Sequence, residues 1–137
     1  MDKPFLQFTL LCDEVIQDEF TKKLSFIGLF DKIHSNKLPM IQSKMYIVSR
    51  WLNISDELEH TQHFKILLEK DDKEIYDSKK TEKSFSLKNK KDNHTVIVGI
   101  NNLNFDQSGN YYIAFFLDEE IQPQKIYFEV VLLQDHL

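Results

Sequence analysis

His60 and His63 stand in Glu59-His-Thr-Gln-His, and H-x-x-H is a spacing at which two imidazoles can share a zinc ion. On a helix both rings would lie on one face; on a strand they point to opposite faces. The flanking residues alternate as a strand does, and no cysteine or third histidine is close in sequence, so surface histidines and no metal are expected. Cys12 is the single cysteine. A catalytic thiolate needs a positive, accessible setting, whereas Asp13 and Glu14 would raise its pKa, which makes Cys12 a packing thiol. The acid clusters Asp71-Asp72 and Asp118-Glu119-Glu120 could meet Ca²⁺, but calcium wants six to eight oxygens in a shaped loop. They read as ordinary acidic turns. Lysines 79, 80, 83, 88, 90 and 91 form a basic patch around Phe85, a combination that can bind single-stranded nucleic acid. The patch lacks arginine, and a lysine-rich edge strand is the simpler reading. No G-x-S-x-G, P-loop, G-x-G-x-x-G or paired catalytic carboxylate occurs, so the expectation is a protein that is not an enzyme and carries no cofactor.

The elements that carry these groups are strands. Phe5 to Asp13 alternates, with Leu6, Phe8, Leu10 and Cys12 on one face. KLSFIGLFDKI (residues 23–33) is apolar on both sides. Read as a central core strand with a bulge at Gly28, it sends Leu24, Phe26, Leu29 and Ile33 inward and leaves Ile27 and Phe30 outward. Lys44 to Leu52 places Met45, Ile47 and Trp51 inward, and His60 to Lys70 places Phe64, Ile66 and Leu68 inward. After a turn at Asp71-Asp72 come a short strand (74–77), the lysine-rich stretch and a strand over 94–102. Tyr111 to Asp118 and Lys125 to Leu133, joined by DEEIQPQ, complete the set. In Phe105-Asp-Gln-Ser-Gly-Asn-Tyr111 a glycine precedes a strand-opening tyrosine by two, as in the tyrosine corner of immunoglobulin-like sandwiches. The fold expected is a single all-β domain over 1–137, an immunoglobulin-like antiparallel sandwich of about 8–9 strands with little or no helix.

Composition agrees. A chain of 137 residues with 42% hydrophobic residues can bury a core without staples. Eleven phenylalanines suit strands, and three glycines leave little for phosphate-cradling loops. All but Arg50 of the 17 basic residues are lysine, and the net charge of −5 gives no overall pull toward nucleic acid or anionic membranes. The N-terminal apolar run is bracketed by acids without a cleavage site, and no stretch nears the roughly 20 apolar residues of a membrane helix. A cytoplasmic protein is expected.

The segments LLCDEV (residues 10–15) and KLSFIGLFDKI, the Leu38-Pro39 that follows, and more weakly the Gly-x-Tyr strand and the final Phe128-x-Val130 resemble a family of uncharacterised small bacterial β-sandwich proteins. Lys22 departs from that pattern, which has glycine before Lys-Leu-Ser. The resemblance implies a bacterial, cytoplasmic sandwich and carries no functional residues.

Function is therefore sought on the outer faces. If Met45, Ile47 and Trp51 face the core, Tyr46, Val48 and Arg50 face out. If Tyr111, Ile113, Phe115 and Leu117 face the core, Tyr112, Ala114 and Phe116 face out. Tyrosine and arginine beside apolar groups are typical of interface cores. By analogy with the immunoglobulin arrangement the two strands are neighbours, so Tyr46, Val48, Arg50, Tyr112 and Phe116 would merge into one candidate interface. The expectation is a non-catalytic binding or assembly module that meets a protein partner or its own copy there. The opposing expectation is that loops at 14–22 or 35–42 cover the face from the same chain. An alternative is a small-ligand-binding or enzymatic domain with a cavity between the sheets. A third is single-stranded nucleic-acid binding through lysines 79–91.

Overall fold

In the computed structural model, which describes residues 4–52, 59–81, 83–86 and 93–133, the alternating segments become ten strands and one 3₁₀ turn. They are β1 (Phe5–Gln17), β2 (Leu24–Leu29), β3 (Lys32–Ser35), β4 (Met40–Leu52), β5 (Glu59–Leu68), β6 (Lys73–Asp77), β7 (Lys83–Ser86), β8 (Asn93–Phe105), β9 (Gly109–Leu117) and β10 (Glu120–Leu132), with the 3₁₀ turn at Ser78–Thr81. One sheet has the order β2-β1-β4-β8. The other runs β3-β10-β9-β5-β6, with β7 beside β6 along the same edge of β5. All pairings are antiparallel except β3 with β10, which is parallel. The result is the expected all-β sandwich.

The inward positions of the two sheets meet as predicted by period two. Met45, Ile47 and Trp51 on β4 face Phe64, Ile66 and Leu68 on β5 and Ile113, Phe115 and Leu117 on β9, all buried. Trp51 stands edge-on to Phe115, ring centroids 6.1 Å apart at 77°. Phe105, Tyr111 and Phe128 form a second aromatic cluster, with Tyr111 and Phe128 stacked at 5.6 Å. Edge-on and offset arrangements suit the ring quadrupoles. The Tyr111 hydroxyl donates to Gln107 O at 2.6 Å and closes the tyrosine corner read from the sequence.

Three expectations are corrected. KLSFIGLFDKI is not a central core strand: it divides into two edge strands in different sheets, β2 and β3. Gly28, with φ of 70°, breaks the regular strand, and Phe30 and Asp31 carry the chain across. Leu29, expected inward, is exposed, while Phe30, expected outward, packs against the core beside buried Ile33.

The phase of β1 also differs. Its register against β4 shifts between Leu6 and Phe8, so Leu6 pairs with core residue Trp51, but Phe8 pairs with outward Arg50. A bulge adds one residue and reverses the faces beyond it. Leu6 and Leu11 therefore enter the core, whereas Phe8, Leu10 and Cys12 join the outer face of β4. The connection DEEIQPQ is likewise mostly strand. A two-residue turn at Asp118-Glu119, with φ of 49° and 68°, leads straight into β10. Both residues take the positive φ that a type I′ hairpin requires. The irregularity at Pro123 is a register shift between Ile121 and Lys125, where a residue without an N–H is tolerated.

Candidate functional site

The predicted interface does not assemble. Tyr46, Val48 and Arg50 lie on β4 in the four-stranded sheet, and Tyr112 and Phe116 on β9 in the other, so the two groups occupy opposite outer faces of the sandwich. The analogy failed because it treated residues 44–52 as the neighbour of β9, whereas β5 takes that place.

On the first face Val48 is 0% exposed although it points away from the core. Its cover comes from its own chain. Beyond Cys12, β1 leaves β4 and pairs with β2 as a hairpin. The returning limb Lys22–Phe26 shares a hollow of about 430 Å³ with the outward residues Phe8, Arg50 and Thr95. The hairpin thus lies against the sheet's outer surface, with Leu24 and Phe26 half-buried. Its tip is fixed by Asp18, whose carboxylate accepts from the Thr21 amide at 2.8 Å and hydroxyl at 2.7 Å. Those bonds favour the charged form and lower the Asp18 pKa. At the corner a Cβ on Gly28 would run into the Asp13 carboxylate.

On the second face Tyr112 is 7% exposed and Phe116 half-buried. His63 pairs with Phe116 across β5 and β9, and the rings stack at 4.6 Å and 1°. Lys65 Nζ sits 5.6 Å over Phe116, and Lys125 Nζ 4.7 Å over Tyr112. The lysine stems roof the strand between them, and Ala114 is buried as a result. The Tyr112 hydroxyl donates to Asp72 at 2.8 Å. Burial, then this carboxylate, push its pKa up to about 12. This face is largely covered by its own side chains.

What remains open is the back of the hairpin. In the β1–β2 register Glu14 opposes Ile27 and Ile16 opposes Ser25, so Ile16 and Ile27 share the side away from half-buried Val15 and Phe26. Ile16 is 48% exposed, Ile27 45%, Leu29 59% and Phe20, at the tip, 88%. Among the described residues β2 is the outermost strand of its sheet. An apolar surface on a free strand edge is the surface most disposed to pair with another chain.

DUF6941, a family of unknown function, matches residues 7–131. The chain belongs to that family. No curated protein matches it. Among solved structures it is similar to the CARDB domain of the PF1109 protein from Pyrococcus furiosus, solved in complex with di-metal ions, at 11% identity, TM-score 0.45, 95% of this chain and 90% of that one. It is also similar to Pseudomonas fluorescens alkylpurine DNA glycosylase AlkC bound to DNA containing an abasic site analog, at 9% identity, TM-score 0.42, 73% of this chain and 27% of that one. Both are likenesses of outline; the metal ions and the DNA belong to those proteins.

The chemistry-bearing residues of this DUF6941 chain are held in structural bonds. His60 and His63 are both buried, against the expectation of surface positions, and they point to opposite sides of β5 as a strand requires. His60 Nδ1 donates to Asp118 Oδ2 at 2.8 Å, and the other Asp118 oxygen accepts from the Thr61 amide at 3.0 Å. Asp118 thereby pins the β9–β10 turn to β5, a use its sequence neighbours Glu119 and Glu120 disguised. Cys12 is buried and its pKa raised, first by desolvation and then by Asp13. No group of three His, Cys, Asp or Glu side chains gathers among the described residues. Of the lysine patch, 88, 90 and 91 lie outside the described residues, and Lys79 reaches Glu119 at 3.6 Å. No helix among the described residues is long and apolar enough to cross a membrane.

Proposed function

We propose that this chain is a non-catalytic assembly module that pairs with a second copy of itself through the back and free edge of the β1–β2 hairpin. The observation that carries the reading is the exposed apolar row Ile16, Phe20, Ile27 and Leu29 on an edge hairpin, while the two sheet faces are covered from within. A twofold contact needs a self-complementary surface. An antiparallel β2–β2 pairing centred on Ile27 meets that need: Ile27 opposes its own copy, and Ser25 opposes Leu29. Cys12 is the lone cysteine and is buried, which suits a reducing compartment, and a bacterial cytoplasmic setting belongs to this reading.

Light scattering and sedimentation test it. The wild-type chain is expected to be dimeric at about 50 μM, as micromolar affinity implies. Ile27→Glu should give folded monomers whose melting temperature falls only by the lost dimer linkage and the new carboxylate opposite Glu14, because Ile27 lies outside the core. A wild-type monomer at that concentration, or a dimer indifferent to both Ile27→Glu and Leu29→Glu, would sink the proposal.

A further inference from the structure

Where β6, an edge of one sheet, passes β8, an edge of the other, the sandwich opens into a cleft of about 450 Å³. It is remote in the fold from the hairpin, which sits on the far edge of the four-stranded sheet. Its size is that of small-molecule sites. The cleft has an apolar floor of buried Leu68, Ile100 and Leu103, and Tyr76 adds an aromatic wall stacked on Phe64 at 5.7 Å. Around this floor stand amides: Asn101, Asn102, Asn104 and Gln107. Asn102 holds φ of 56°, and the regular β4–β8 pairing skips it, passing from Asn101–Lys44 to Leu103–Gln42. Irregular strand residues of this kind commonly mark sites where side chains are re-aimed.

The acidic groups at the rim already have partners. Glu74 pairs with Lys65 at 3.3 Å, and Asp106 accepts from the Asn104 side chain at 2.7 Å. Among the described residues that leaves Lys73 as the cation of the lining, too little to hold a polyanion. Amides both donate and accept, as hydroxyl groups do, whereas carboxylates only accept and ammonium groups only donate. An amide rim over an aliphatic and aromatic floor is complementary to a ligand with hydroxyls at its edge and C–H groups on its faces. We propose that the β6–β8 cleft binds a neutral carbohydrate of one or two sugar rings, a role independent of self-association.

Titration of the ¹⁵N-labelled full chain with cellobiose, maltose and N,N′-diacetylchitobiose, each at about 10 mM to reveal millimolar binding, tests this. At least one sugar should shift amide signals of residues 73–76 and 100–107 and leave the hairpin signals still. Asn102→Gly keeps a residue at ease with positive φ, and combined with Asn104→Ala it should weaken that binding about tenfold or more, two hydrogen-bonding groups being lost. Ile27→Glu should bind the sugar as the wild type does, so failure of the dimer and failure of the cleft are read separately. No shift with any of the three, shifts confined to other residues, or undiminished binding by the double variant would overturn the proposal.

Discussion

Tyr112 shows how much of this protein's surface chemistry is internal structure. Its hydroxyl donates to Asp72, and its pKa lies at about 12 because burial and that carboxylate both oppose the phenolate. A folded pKa above the unfolded value of about 10 stabilises the native state fully below that pH. The contribution is then lost as pH rises from about 10 through about 12. Ultraviolet titration should find Tyr112 and buried Tyr111, whose pKa burial also raises, ionising after the ordinary range, and Tyr112→Phe should remove one of these late steps at a cost of about 1 kcal/mol. At Gly28 the constraint is steric. A φ of 70° costs an L-residue about 1–2 kcal/mol, and the added Cβ would press on the Asp13 carboxylate besides. Gly28→Ala should lower stability in denaturant titration by at least that much, and an unchanged midpoint would refute a positive-φ corner packed on Asp13. That glycine was legible only as a bulge within one strand; the change of sheet just beyond it was not, because nothing local to residues 23–33 says which strand each half will pair with.

At the scale of elements, alternation revealed the strands and the core positions of β4, β5 and β9 without knowledge of their partners. Phase was recoverable only where no bulge intervened. In β1 the shift between Leu6 and Phe8 is imposed by the register with β4, so the even-numbered apolar residues that look equivalent fall on both faces. Burial of outward positions was not legible either: Val48 is buried on an outer face, and the hairpin that flanks this face has two limbs that read as unrelated segments. That burial has a measurable consequence. Val48→Asp places a charge without a partner at a buried outward position and should cost about 3 kcal/mol or more, whereas Ile41→Glu, on an exposed position of the same strand, should stay within about 0.5 kcal/mol. Equal melting temperatures for the two variants would mean that Val48 is not sealed from water.

Across the whole molecule, the pairings differ greatly in how much chain they must close. β9 and β10 are joined by two residues and bring together positions adjacent in sequence. β3 is four residues long and takes its pairing from β10, with residues 32–35 against 129–132. Further backbone bonds, Glu129 N–H to Asp31 O at 2.9 Å and Leu133 N–H to Ser35 O at 2.7 Å, extend the same seam. Closing so long a loop is entropically costly until the sheet that receives β3 exists. Folding should therefore be slow for the chain's size, in the millisecond-to-second range of non-local β topologies. β3 should dock after the rate-limiting step. Ile33 is buried against the core, so Ile33→Val should lose about 1 kcal/mol. If β3 docks late, the whole loss appears as unfolding about fivefold faster, with refolding unchanged. Ile113→Val, in the central strand β9 between β10 and β5, deletes the same methyl group from the part of the sheet that must form first. It should slow refolding instead. Stopped-flow chevrons of the two variants decide the order, and slowed refolding in Ile33→Val would show that the long seam forms early.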